Sequence, residues 1–188
     1  MTKSKQPGPE QLRQILERAD CLASASKVSE TLDRMAGQIQ EDYAGRIPVL
    51  VGVMVGGVMP LAWLAQRLEM PVQLDYLHAT RYRSGTRGGE LHWLARPREN
   101  LNDRDVIIVD DILDEGVTLA AVKDALLREG PRSIRIAVLV NKMHDRKVAG
   151  LVADYIGLEV PDRYVFGCGM EYQEYFRQLP AIYALVED

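Results

Sequence analysis

The sequence predicts an α/β fold: a mostly parallel, twisted sheet flanked by helices. Three observations carry that prediction. Short β-branched apolar runs, such as "IPVLVGVMV" (47–55) and "RDVIIVD" (104–110), alternate with stretches of helical period. Alternation over most of a chain argues for largely parallel strands with helices on the faces of their sheet. At 188 residues, 47% of them hydrophobic, the chain is sized for one domain with a sizeable core.

The elements follow in order. Residues 9–22 and 28–43 carry amphipathic helical patterns; in the second, Val28, Leu32, Met35, Ala36 and Ile39 share a face. Strand 47–55 is broken by "GGVMP", and 58–69 then reads as a helix with Leu61, Leu64, Ala65 and Leu68 on one side. "MPVQLDYLHATRY" (70–82) is a strand, "RSGTRGGE" (83–90) a glycine-rich loop, and "LHWLARP" (91–97) a short returning strand. Strand 104–110 precedes a helix over about 117–129, and strands follow at 133–142 and 153–160. Residues 171–180 read as a short helix or a turn. The whole of 1–188 is taken as a single domain, with residues 1–8 a flexible tail.

Bulk composition excludes some classes. The formal net charge of −4 argues against a dedicated nucleic-acid binder, whose footprint is usually basic. No apolar run reaches membrane-span length, and "MTKSKQPGPEQ" has no apolar core of a signal peptide. Cys21 and Cys168 have neither metal-ligand spacing nor partners for a disulfide framework, which fits a reduced cytoplasmic protein.

The most informative stretch is "VIIVDDILDEGVTL" (106–119). A short loop that follows a buried strand and opens a helix aims several backbone N–H groups at one point, an anion site by construction. Gly116 permits close backbone approach, and Thr118 adds a hydroxyl and suits the helix N-cap region. The Gly-Lys-Ser/Thr run of a Walker A loop is absent, so the anion is not the terminal phosphate of a triphosphate. Asp110 and Asp111, at the strand end and facing the crevice, suit sugar hydroxyls, a Mg2+ ion, or both. A ligand with a phosphate, a ribose and a metal-bound polyanion would use every part.

This stretch resembles the phosphoribosyl-pyrophosphate motif of the type I phosphoribosyltransferases. "LVNK" (139–142) and "EVPDRYVFGCGMEYQEYFRQLP" (159–180) resemble the purine-binding end of the hypoxanthine-guanine phosphoribosyltransferases. The resemblance spans roughly residues 45–185. It implies a small base-binding hood built from the chain ends, Mg2+ as cofactor, and phosphoribosyl pyrophosphate with a 6-oxopurine base as substrates. It also implies a homodimer or homotetramer, with no nucleic-acid or membrane partner.

Residue by residue, the resemblance implies these roles. Asp110 and Asp111 hold the ribose hydroxyls, in part through Mg2+, with Asp-Asp standing where the family usually has Glu-Asp. Asp114 is the general base or acid at the purine ring nitrogen opposite the new bond. Glu115, Gly116, Val117 and Thr118 cradle the ribose phosphate. Val55 and Gly56, in "VMVGG", offer backbone donors to the pyrophosphate; many relatives have Lys or Arg where Val55 stands. Arg81 and Tyr82 replace the Ser-Tyr of the family's mobile lid. Lys142 meets the purine's exocyclic oxygen, Tyr164 stacks on the ring, and Val165 reads the base through its backbone. Glu171 stands where relatives carry a Mg2+-binding Asp, and Arg177 contacts the pyrophosphate. His144 is read as exposed, and His92 and Trp93 as packed on the lid's returning strand.

Lys142 bears on specificity, because an ammonium only donates. A ring oxo group accepts from it, whereas adenine's amino group would leave it facing another donor. Two alternatives stand beside this reading: an RNA-binding regulator of the same fold, and a xanthine-preferring transferase.

Overall fold

The computed structural model describes residues 6–81 and 91–186, Arg81 by its backbone alone. The elements are α1 (Pro9–Arg18), β1 (Asp20–Ala23), α2 (Ala25–Asp42), β2 (Val49–Val53), α3 (Val58–Ala65), β3 (Gln73–Arg81), β4 (Leu91–Ala95), β5 (Asp105–Leu113), α4 (Val117–Leu127), β6 (Ser133–Met143), β7 (Tyr155–Pro161), β8 (Val165–Phe166) and β9 (Ile182–Ala184). Six strands form the main sheet in the order β4-β3-β2-β5-β6-β7, parallel throughout except for β4. A second sheet, β1-β9-β8, is antiparallel and joins segments from near both ends of the sequence. It is the hood that the resemblance implies.

The β5 run is apolar because both of its faces are buried. Ile107 and Val109 point into a core shared with α2, α3 and the hood. Val106 and Ile108 point into the opposite core, against Leu119, Val122 and Leu126 of α4. Alternate residues of a strand face opposite sides, so a strand covered on both sides reads as continuous apolar sequence. The amphipathic stripe of α2 buries Val28, Leu32, Met35, Ala36 and Ile39 as its spacing predicts.

Several expectations are corrected. The helix predicted over 9–22 stops at Arg18, and Asp20–Ala23 is strand β1, paired with β9. Its partner lies far along the chain, beyond the reach of a local periodicity. Helix 58–69 ends at Ala65. The acidic pair lies inside β5 and not at its end, because β6 continues the ladder with Ile112 opposite Val140 and Leu113 opposite Asn141. Of the two readings of residues 171–180, short helix or turn, the structure has the turn, with positive φ at Gln173, Glu174 and Phe176 and an isolated bridge between Tyr172 and Tyr175. Gly8, placed in the tail by sequence, caps α1 by donating its N–H to Gln11 Oε1 at 2.9 Å. Among the described residues no helix is long and apolar enough to cross a membrane.

Candidate active site

The connections leave β2 toward β3 on one side and resume at β5 on the other, so the strand order reverses between β2 and β5. Open α/β sheets bind ligands at such a point, outside the carboxyl ends of the strands. The β2–β5 ladder ends at the pair Gly52–Val109, whereas β5 runs four residues further, paired with β6 alone. The opened flank of β5 is where Asp110 and Asp111 sit.

Three segments converge there with no space for extra atoms. A Cβ added at Gly56, in the turn after β2, would lie 1.9 Å from Asp111 Oδ2. One added at Gly169, between β8 and β9, would lie 2.2 Å from the Gly56 carbonyl oxygen and 2.9 Å from Asp111 Cβ. Gly169 also has φ +105°, a region side chains avoid. Arg177 donates to the Gly169 carbonyl at 2.7 Å, and its charge acts on Asp111. Val55 stands beside them, half exposed, after a cis Met54–Val55 peptide. Thus Val55, Gly56, Asp111 and Arg177 are gathered in one place.

Asp110 Oδ1 accepts the Asp111 N–H at 2.9 Å, and the two carboxyls act on each other's charge. Burial, then the neighbouring Asp111 charge, holds Asp110 well above the ordinary carboxylate range. Asp111 is raised too, by burial, against the Asp110 hydrogen bond, the Ile112 N–H and Arg177. Two carboxyls pressed together in a poorly solvated crevice are hard oxygen donors that a divalent cation would relieve. They fit Mg2+, which takes one or two protein carboxylates and completes its shell with water and phosphate.

Glu171 is placed differently. Its carboxylate accepts the N–H of Glu174 in the turn, and its charge acts on Tyr164. Among the described residues no group of three or more His, Cys, Asp or Glu suited to a metal ion occurs. Tyr164 is half exposed, its ring edge-on to Tyr172 at 5.9 Å. Next to it Val165 is buried and pairs with Ala184 of β9.

Beyond β5, Gly116 caps α4 in the left-handed conformation, φ 77°, with no side-chain capping bond. Thr118 is therefore the second residue of α4 and not its cap. A Cβ at Gly116 would meet only the movable methyl ends of Leu151 and Leu113, at 2.4 and 2.8 Å, so it is the positive φ that calls for glycine. Glu115 is exposed and fixes the loop through its carbonyl, which accepts the Val148 N–H at 2.9 Å. Val117 is exposed at the helix start.

Asp114 is gripped from β6. Lys142 Nζ donates to its Oδ2 at 2.7 Å, and His144 Nε2 lies 2.6 Å from its Oδ1. Burial raises the Asp114 carboxyl, but the Lys142 and His144 bonds outweigh it and leave the group below its ordinary range. The Lys142 side chain is only 12% exposed, so it is no lysine reaching for solvent. His144 corrects the sequence reading: its side chain is 3% exposed. A signal for it existed, since residues two apart at a strand end face the same way and Lys142 was already assigned. His92 is exposed on β4, whereas Trp93 packs on the core and under Arg96. Tyr82, with the rest of the predicted lid through Glu90, lies outside the described residues.

Comparison with known proteins gives the family. Residues 20–174 match the phosphoribosyl transferase domain family. The hypoxanthine-guanine phosphoribosyltransferase of Streptococcus mutans is 34% identical over 168 residues, 89% of this chain and 93% of its own. That of Staphylococcus epidermidis is 35% identical over 162 residues, 86% of this chain and 90% of its own. The crystal structure of a hypoxanthine phosphoribosyltransferase from Staphylococcus aureus superposes with a TM-score of 0.86 at 27% identity, covering 92% of this chain and 95% of that one. The chain belongs to the phosphoribosyltransferases, and among them to the hypoxanthine-guanine group.

Proposed function

We propose that this enzyme transfers the phosphoribosyl group of phosphoribosyl pyrophosphate to hypoxanthine or guanine, giving IMP or GMP and pyrophosphate. The observation that carries the base preference is the Lys142–Asp114 pair, 2.7 Å apart at the carboxyl ends of β5 and β6. It presents a donor beside an acceptor. A 6-oxopurine offers the complement along one edge, an oxo acceptor beside a ring N–H. Adenine puts an amino donor against the ammonium, a mismatch that a poorly solvated site penalises heavily.

The chain's residues divide the work. The uncapped start of α4, residues 115–118, holds the ribose phosphate on backbone donors. Backbone at Val55 and Gly56, with Arg177, faces the pyrophosphate, while Arg81 and Tyr82 belong to the lid. Tyr164 lies against the purine ring, and Val165 reads its edge. Lys142 moves from Asp114 to the exocyclic oxygen. As the bond from ribose to pyrophosphate breaks and the ring nitrogen bonds to the sugar carbon, the proton on the opposite ring nitrogen passes to Asp114. Losing Lys142 strengthens Asp114 as a base at that moment. Asp110 and Asp111, with Glu171 on the side of the base, would hold Mg2+, and its charge would stabilise the departing pyrophosphate.

The enzyme acts in the cytoplasm, consistent with two free cysteines. It works as a homodimer or homotetramer. Leu74 and Tyr76 are exposed on one face of β3, and Leu94 is exposed on β4 opposite the core-facing Trp93, an apolar surface suited to a second copy.

The test is pyrophosphate release from phosphoribosyl pyrophosphate and Mg2+ with hypoxanthine, guanine, xanthine, adenine, uracil or no base. Hypoxanthine and guanine should turn over, adenine and uracil should not, and Asp114→Asn should be slower by about 10²–10⁴. Turnover of adenine would overturn the base assignment. Ligand binding without turnover of any base would point instead to an RNA-binding regulator.

A further inference from the structure

Lys142 and Asp114 are expected from the family, but His144 is not among the residues that the resemblance assigns. Its surroundings are built in detail. Nδ1 accepts the N–H of Arg146 at 3.1 Å. A backbone N–H can only donate, so Nδ1 carries the lone pair and the ring proton resides on Nε2. Nε2–H therefore donates to Asp114 Oδ1 at 2.6 Å. The ring is enclosed, its side chain 3% exposed, so water does not substitute for it.

The loop behind it is fastened on three sides. Arg146 makes a two-point pair with Asp162 after β7, at 2.7 and 2.8 Å. Lys147 donates to the Lys142 carbonyl, and Val148 N–H donates to the Glu115 carbonyl at 2.9 Å. His144 is thus held relative both to the end of β6 and to the loop that carries Asp114.

We infer that His144 is a positioning residue for Asp114: it keeps Oδ1 occupied while Lys142 leaves for the base, so that Oδ2 stays aimed at the purine ring N–H. The inference rests on the proposed reaction. In the structure Asp114 has two side-chain donors. Once Lys142 is on the base, only His144 remains of that pair. Without it the carboxylate would be free to rotate about its last bond at the step where its direction matters. Small losses of alignment at a reacting group lower rate more than binding.

The experiment compares His144→Phe, which keeps a ring and removes both hydrogen bonds, with His144→Gln, whose amide N–H can stand in for Nε2–H. His144→Phe should lower kcat for hypoxanthine about ten- to a hundredfold, the rate equivalent of one hydrogen bond to a charged group. KM for the base should change little, and His144→Gln should recover most of the rate. In an Asp114→Asn background His144→Phe should add nothing, since both changes remove one function. Independently of turnover, imidazole nitrogen spectra of the wild type should show the neutral Nε2–H tautomer and respond to Asp114→Asn. Unchanged kcat in a folded His144→Phe, additive losses in the double variant, or an Nδ1–H tautomer would each overturn the proposal. If wild type itself turns over no base, the transferase reading fails, and the tautomer alone then decides the His144–Asp114 contact.

Discussion

Asp110 shows at the scale of one residue how a site can be unfavourable to its own fold. Its carboxyl is partly buried beside a second carboxyl, and desolvation with that neighbour's charge raises it well above the ordinary carboxylate range. An amide has nearly the same shape as the carboxyl and carries no charge. Asp110→Asn should therefore stabilise the ligand-free protein by about 0.5–2 kcal/mol, the usual gain from relieving a functional site. Each kcal/mol would raise Tm by about 2–4 °C in a chain of this size. Turnover should fall about a hundredfold or more as the metal and ribose contacts are lost. Thermal melts beside pyrophosphate-release assays check both halves; a lower Tm would contradict the repulsion argument. The residues easiest to read from sequence were those in one contiguous run, Asp110 to Thr118. Gly169 was out of reach, because what forbids a side chain there is the Gly56 carbonyl, over a hundred positions away.

Among elements, the junction of α2 with β6 and β7 is a clear case of tertiary structure overriding local preference. Asp42 ends α2, where the helix dipole disfavours a negative charge. Tyr155 of β7 donates to it at 2.7 Å, and Arg135 of β6 pairs with it and with the Tyr155 hydroxyl at 2.6 Å. The Tyr155 bond, against slight desolvation and with help from Arg135, sets Asp42 below its ordinary range. A carboxyl lowered in the folded state contributes stability above its unfolded value and loses it as pH falls through the folded one. Tyr155→Phe should thus cost about 1 kcal/mol at neutral pH. The difference from wild type should narrow as pH drops below about 4. Urea unfolding at a series of pH values measures this, and a gap that widens in acid would refute it. Sequence made long elements legible for the same physical reason. The α2 stripe and the β5 run each state their own burial, whereas β1, β8 and β9 are two to four residues long and gain meaning only through their partners.

The whole molecule is two sheets with different tasks. The six-stranded sheet carries the acidic pair, the helix start and the Lys142–Asp114 pair, and the three-stranded sheet carries Val165 with Tyr164 beside it. β9 lies in the middle of the smaller sheet, where Ile182 is fully buried in the core that joins the two. Ile182→Ala should cost about 2–5 kcal/mol. Hydrogen exchange should show protection lost in β1, β8 and β9 before β5 and β6. Equal loss everywhere would mean that the sheets unfold as one unit. That topology also gives the protein a timetable during synthesis. β1 is made about 160 residues before β9, and at ~5–20 residues per second it waits roughly 8–30 s for the strand it pairs with. Before that interval closes, the phosphate loop and the Lys142–Asp114 pair can already be in place, while the hood strand that carries Val165, beside Tyr164, still waits for β9.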